Sequence, residues 1–539
     1  MKNEERKTEW WDYDGRLFNF RPCLFVFLFL CLGILYGFLV VYHNAPLWWL
    51  LFLLPIIPLP YLVLRKKSAW YAVWLMALAF LCGGLSYYTK ATNYLASPIV
   101  NGDGMVYGEV LSVEYTEDQT ELVLTDLHIA GVEYEGKLIA YLLGGYGENI
   151  RVGDRVYMEG KVTTALDLYG EGAQYSFAED IRYRLISSGR AQTVSHSVRL
   201  FATIRETLKE RLYEGMGEDS ASLAFAILTG DASFVEEGLL ENTRRGGIAH
   251  IFAVSGLHIG TLYGLCILLF SKINALKGKR LLRLVVVFFV LVFYGGICGF
   301  RESVIRAVVG CIVAETCLLL GFKRDMLETL SIAGIAVLAV NPISIFCIGF
   351  QLSFLACFGI AFLARPIQVR LERIFIREDK APLLDRILSI PPDPVGKREN
   401  KVIPFLSITI SAQLATAPVL YIAFGYLSIW GLLLNCLLVP CIGWVFSSTL
   451  LFSSIACVLP TALSKLILWL PNLVWTVIAL VFQIFDFTNV FIGNALPFGS
   501  VLAYYCALIA FSDKLNLSKR KRRIGVGVFL ACFLIGYFL

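Results

Sequence analysis

The sequence predicts a polytopic α-helical membrane protein with a small β domain inserted between its helices, and three observations predict it. The 539 residues are 57% hydrophobic with a mean hydropathy of +0.68, a composition that excludes a soluble globular chain. The apolar residues gather in long runs, enough for about 13 transmembrane helices of bilayer length. Residues 101–195 break that pattern, because apolar and polar positions alternate there and Gly and Asp punctuate the alternation.

The runs follow in order. Three lie near 22–42, 47–64 and 69–88, within an N-terminal segment 1–95. The leading MKNEERKTEWWDYDGRLFNFR is too long and too acidic for a signal peptide, so the first run is expected to stay as a membrane helix. Arg16 and Arg21 precede the first run and Arg65, Lys66 and Lys67 separate the second from the third. Short basic loops stay cytoplasmic, which puts the next segment on the extracytoplasmic side. Within that segment, 96–198 holds MVYGEVLSVEYT, TELVLTDLHIA, EYEGKLIAYLL and DRVYMEGKVTT, about four or five antiparallel strands of an OB-like barrel. Residues 101–195 carry 16 Asp/Glu against 7 Lys/Arg. Two roles stay open for an acidic barrel: a spacer or gate, or a nucleic-acid binder through a local patch.

Residues 199–248 form an outer segment that opens with an amphipathic helix, 199–217, having apolar residues at helical spacing and charges opposite. From 249 to 539 the chain is again mostly apolar. Spans are expected near 249–270, 284–300, 303–321, 327–341, 345–364, 403–422, 428–457, 463–485, 490–511 and 524–539. A basic, proline-bearing cytoplasmic loop covers 365–402, and Pro440 marks 428–457 as one broken helix or two half-helices. Every strongly basic loop then falls on one side.

Fourteen cysteines lie in apolar or membrane-flanking stretches and none in 101–195, the pattern of small buried hydrophobes rather than disulfides. No CxxC pair and no metal-spaced cluster occurs among the five histidines, so neither metal nor cofactor is expected. No P-loop appears, so energy from nucleotide hydrolysis would come from a partner.

The candidate site is AHIFAVSGLHI, Ala249–Ile259, with AILTGD before it and GFRESVIRA after it. Polar groups at membrane depth are costly and face a bundle interior or a watery cavity. His250 and His258 are expected two turns apart on one helical face, with Ser255 a turn before His258. Gly256, Gly260 and Gly264 recur every fourth residue, a face that lets another helix, or a second copy, approach closely. Arg306 lies about one turn into its helix, four residues after Glu302. It is either a paired or snorkelling structural arginine or, with Arg301, a cation lining a path for an anion. Ser255 and His258 make interhelical hydrogen bonds or, less simply, a nucleophile pair. Asp231 either caps a turn or meets an arginine. Gln351 and Ser353 add polar groups in a later span. No residue is assigned a catalytic role.

At this point the motifs match a family. LTGD, HIFAVSGLHIG, GFRESVIRA, NPISIFCIGFQLSF and QLATAPVLYIAFGYLSIWGLLLNCLLVP together resemble the ComEC-type competence proteins, over most of 201–460 and in that family's order. The resemblance implies a non-enzymatic inner-membrane channel that passes one strand of transforming DNA into a bacterial cytoplasm. The positions carried over are Gly230, Asp231, His250, Ser255, Gly256, His258, Arg306, Asn341, Pro342, Gln351, Ser353 and Pro418. It implies single-stranded DNA and membrane lipid as partners, along with a DNA receptor and a cytoplasmic ATP-driven translocase. Many members carry a C-terminal metallo-β-lactamase-like domain; the corresponding HxHxDH is absent from this sequence, so a separate nuclease is expected. Glu302 stands where members often have proline, which places a negative charge by the expected path. Two other classes remain to be weighed: an intramembrane hydrolase using Ser255 and His258, and a scaffold that binds partners through the β domain.

Overall fold

The computed structural model describes residues 21–42, 69–115, 119–143, 150–166, 173–187, 189, 191–195, 199–252, 254, 256–273, 278–321, 325–375, 402–428, 430–484, 490–491, 497–512 and 519–538. The expected span 47–64, the residues before Arg21, most of the loop 365–402 and Ser255 lie outside them. The described chain divides into two units: Pro22–Gln351 with Pro440–Phe487, and Met1–Arg21 with Leu352–Val439 and Thr488–Leu539.

The first unit opens with α1 (Pro22–Tyr42) and α2 (Ala69–Leu95). They cross on glycines. A Cβ on Gly33 would collide with the Phe80 carbonyl oxygen, and one on Gly83 would collide with that of Leu30. Small residues are what allow helix backbones in a membrane to approach this closely.

The β domain follows: β1 (Gly102–Tyr115), β2 (Gln119–Ile129), β3 (Val132–Tyr134), β4 (Lys137–Leu143), β5 (Arg155–Thr164), the short α3 (Ala173–Ala178), β6 (Ile181–Ser187) and β7 (Gln192–Ser195). Long β1 pairs with β2 and also with β5, so the order β1-β2-β4-β6-β5 closes on itself as a five-strand barrel. The β4–β6 pair is parallel and the other pairings are antiparallel. Strands β3 and β7 add to β2 and β5, two more strands than the alternation suggested, because each is short and lacks a clear apolar period. Inward side chains fill the barrel, among them Val106, Leu122, Leu138, Val156, Met158, Tyr183 and Leu185, all at most 1% exposed.

Tyr94, at the end of α2, fixes the barrel to that helix. Its hydroxyl lies 2.7 Å from the Ala165 carbonyl oxygen and 2.8 Å from that of Ile181, and donates to one at a time. Lys90 Nζ donates to Asn341 Oδ1 (2.9 Å), and Asn341 Nδ2 donates to the Ala178 carbonyl (3.2 Å). Asn341 therefore ties the turn that carries it to the barrel.

The amphipathic helix expected at 199–217 is α4 (Leu200–Gly215), and two helices not expected in the outer segment follow it, α5 (Glu218–Thr229) and α6 (Glu237–Arg245). All ten residues from Ser220 to Thr229 are buried. A short 3-10 turn, Ala249–Ile251, precedes α7 (Gly256–Lys272), and α8 (Arg280–Ile297), α9 (Glu302–Leu319) and α10 (Met326–Val340) follow. A 3-10 turn at Pro342–Phe346 leads into α11 (Ile348–Phe375), which continues well past the expected end at 364.

The second unit holds most of α11, then α12 (Val402–Phe424) and β8 (Tyr426–Leu427). Next, α13 (Trp430–Val458) runs through Pro440 as one helix, its first part here and the rest in the first unit. The first unit also takes α14 (Thr461–Ile484). The expected span 490–511 is instead β9 (Val490–Phe491), paired with β8, and the 14-residue α15 (Phe498–Phe511). The last helix is α16 (Lys519–Phe538).

Among the described residues six helical segments are long and apolar enough to cross a membrane, in α1, α8, α11, α12, α13 and α14. Shorter apolar helices lie in α7, α10, α15 and α16. In α9, Glu302, Arg306 and Glu315 interrupt the apolar sequence. Among the described residues the count of 13 is thus not reached.

Candidate functional site

The site is assembled around the C-terminal end of α5. A helix end leaves its last carbonyls without intrahelical donors, and a buried end must find them elsewhere. Gly230 caps α5 in the left-handed region (φ +78°), where a side chain would be strained, and a Cβ there would also press on Val254 Cγ2 at 3.1 Å. The carbonyls are satisfied from α8 and the turn after it. Tyr294 donates its hydroxyl to the Leu228 oxygen at 2.8 Å, the Cys298 thiol points at the same oxygen at 3.8 Å, and Arg301 Nη1 donates to the Gly230 oxygen at 2.5 Å. A cation at a helix C-terminus also complements the helix dipole.

The next residue, Asp231, meets an arginine. Its Oδ2 lies 2.6 Å from Arg205 Nη2, and its Oδ1 accepts from the Ser233 hydroxyl (2.6 Å) and amide (3.2 Å). Arg205 belongs to α4, which the first unit holds at several points. Phe201 lies over Gly296, where any Cβ would strike the ring; Gly215 abuts Leu468; and Arg211 donates to the Thr461 hydroxyl (2.9 Å). Just before α4, Arg199 pairs with the buried Glu109 of β1. Burial, and then the Glu218 and Asp231 carboxylates, push the Tyr213 phenol above its ordinary range.

Val254, Gly256 and the start of α9 complete the cluster. Ser303 donates to the Val254 oxygen at 2.8 Å. Gly256 opens α7 with the guanidinium of Arg306 against it: a Cβ there would lie 2.9 Å from Arg306 Nη2. At their described residues the motifs LTGD, AVSG and GFRES thereby meet: Gly230 lies beside Val254 and accepts from Arg301, and Gly256 lies against Arg306.

Other expected residues are placed differently. His250 sits in the 3-10 turn while α7 starts at Gly256, so His250 and His258 share no helical face. Gly247 is in the left-handed region (φ +71°) and the chain turns there before α7 begins. His258 is 1% exposed and its ring packs edge-on to Phe446, centroids 4.8 Å apart. Of the expected Gly256/Gly260/Gly264 packing face, Gly256 accommodates a side chain, while added Cβ atoms on Gly260 and Gly264 would meet nothing within 4 Å among the described residues of this chain. Gln351 Nε2 donates to the Ile345 oxygen (3.0 Å) and closes its own turn. Ser353 belongs to the second unit. The Glu302 side chain, like Ser255, lies outside the described residues, so the expected Glu302–Arg306 pair does too.

Sequence reasoning missed Arg205, and it also missed Glu315. Glu315, 1% exposed, receives Arg283 Nε at 2.8 Å and the Tyr263 hydroxyl, which links α7, α8 and α9. Its signal was visible as a carboxylate inside the apolar CIVAETCLLL. Arg205 gave no such signal, being one of several charges on an amphipathic helix. Among the described residues no group of three or more His, Cys, Asp or Glu could hold a metal ion.

The fold and these turns define a class: a multi-pass helical membrane protein with a five-strand barrel and an arginine-bearing cluster of turns between its helices. The chain belongs to the Competence protein family, whose model matches residues 227–515, more than half of its length. It is 25% identical to ComE operon protein 3 of Bacillus subtilis over 222 residues, 41% of this chain and 25% of that one. It is 28% identical to the uncharacterized protein MG316 of Mycoplasma genitalium over 131 residues, 24% of this chain and 32% of that one. The matches thus span a quarter to a third of those relatives. No solved structure matches the chain.

Proposed function

We propose that this protein is the cell-membrane channel through which one strand of transforming DNA enters a bacterial cytoplasm. Membership of the Competence family supports the reading, and the meeting of LTGD, AVSG and GFRES supports it most, because it brings Arg205 and Arg301 to one helix end and Arg306 against the start of α7. A polyanion crossing a membrane needs neutralisation by groups that also let go. Arginine suits such a path because it stays charged and meets phosphate through a planar fork.

In this reading the barrel stands outside the cell, on the side opposite the basic loops. Its closed order, with a parallel β4–β6 pair, is OB-like, and it receives or gates the strand before the arginine cluster does. A receptor delivers the DNA, a separate nuclease removes the other strand, and an ATP-driven translocase draws the single strand inward.

The test is entry of end-labelled duplex DNA into the cytoplasm of a deletion strain, complemented by wild type or by Arg306→Ala. Wild type is expected to restore entry, and Arg306→Ala to lower it at least tenfold at an equal level in the membrane. Normal entry in the deletion strain, with no redundant copy present, rejects the channel.

A further inference from the structure

Arg205 lies outside the family-matched segment, which starts at residue 227, yet it grips Asp231 within it. One residue earlier, Arg301 grips the Gly230 carbonyl. Consecutive Cα atoms are about 3.8 Å apart, so guanidinium groups from two separate elements converge on one dipeptide. Neither is sealed from solvent: the Arg205 side chain is 31% exposed and Arg301 is exposed, whereas the Asp231 side chain is 17% exposed. Asp231 gives only Oδ2 to Arg205, and Ser233 holds its other oxygen through both hydroxyl and amide. The carboxylate therefore keeps two hydrogen bonds if Arg205 leaves it.

Resting on the channel reading and deepening it, we propose that Asp231 is a resident anion. It occupies Arg205 in the empty protein and yields it to a phosphodiester of the entering strand, so that Arg205 and Arg301 form a phosphate-binding pair. A carboxylate and a phosphodiester each carry one negative charge and both suit the guanidinium fork. The exchange replaces one charge-assisted pair with another, so the net free energy is small in both directions. An arginine with no resident anion would retain each phosphate, and one sealed with its carboxylate would bind none. The exchange gives the intermediate strength that conduction requires. Arg205 also ties this site to α4, whose leading Arg199 holds the barrel at Glu109.

The experiment uses the full chain in phosphatidylcholine nanodiscs with a fluorescent single-stranded oligothymidylate, read by anisotropy over a salt series. Asp231→Asn is expected to tighten binding several-fold, because it removes the competing anion. Arg205→Ala is expected to weaken binding and to flatten the plot of log affinity against log salt by about 0.7, one phosphate contact on a single strand. Arg205→Lys should fall between wild type and Arg205→Ala, and it serves if the alanine variant does not fold, as judged by thermal unfolding. Weaker binding by a folded Asp231→Asn overturns the proposal and makes the pair a brace of the fold. An unchanged slope in Arg205→Ala, with loss of a preference for phosphatidylglycerol discs, assigns the arginine to lipid and also overturns it. Those outcomes leave the channel standing if wild type still binds the oligonucleotide and admits DNA. A wild type that does neither rejects the channel itself.

Discussion

Gly256 shows what one missing side chain can do. The guanidinium of Arg306 stands where its Cβ would be, 2.9 Å from Nη2. The obstructing atom is the far end of a flexible chain, so Gly256→Ala moves the charge without forcing the backbone apart, and alanine is the better helix former. Its thermal unfolding should match wild type while DNA entry falls toward the level of Arg306→Ala. Wild-type entry with a stable protein would remove Arg306 from the path. The four-residue spacing of Gly256, Gly260 and Gly264 was legible, but its meaning was not. A pattern of small residues says that something can come close, and only the packing says whether it is a helix, an arginine or open space. Gly33 and Gly83 do bring two backbones together, and they lie in different runs. Periodicity within one run cannot pair them.

At the scale of elements, α12 contains Pro418, which has no N–H for the carbonyl of Leu414 one turn earlier. Tyr504 of α15 supplies the donor: its hydroxyl lies 2.8 Å from the Leu414 oxygen, and that of Tyr505 lies 3.0 Å from the Ala415 oxygen. An intramembrane proline is tolerated where a neighbouring helix satisfies the freed carbonyl. Tyr504→Phe should therefore cost about 1 kcal/mol in thermal unfolding of the detergent-solubilised protein. In a Pro418→Ala background the cost should shrink, because the substituted alanine would supply its own N–H. Equal costs in both backgrounds would show that the hydroxyl does not serve the proline. Pro418 was plain in the sequence, but its donor lies 90 residues away from the carbonyl it serves, beyond the reach of any local pattern. The start of α7 was misjudged for a related reason. AHIFAVSGLHI has the composition of a membrane helix throughout, but the chain turns at Gly247, Ala249–Ile251 is a 3-10 turn, Ser303 holds the Val254 carbonyl, and α7 begins at Gly256. Long-range partners, not composition, set that boundary.

At the scale of the whole molecule, composition and periodicity carried the fold class, apolar helices with one barrel among them, whereas the family rested on the resemblance of the motifs and is shown by the match over residues 227–515. They did not carry the assembly of α4, α5 and α6, because a helix buried on every side, such as α5, has no amphipathic face to announce it. Two features of opposite charge now stand in the same unit: a barrel segment with 16 acidic and 7 basic residues, and an arginine cluster joined to it through α4. To a polyanion the first is a hill and the second a well. Salt flattens both, since the screening length falls from about 30 Å at 0.01 M to about 10 Å at 0.1 M. Rising ionic strength should first speed the approach of DNA and then weaken its hold on the arginines. DNA entry would then pass through a maximum as salt is raised, and replacing barrel carboxylates by amides should move that maximum to lower salt. A steady decline from the lowest salt, unchanged by those replacements, would mean that the barrel's charge does not bear on the strand's route.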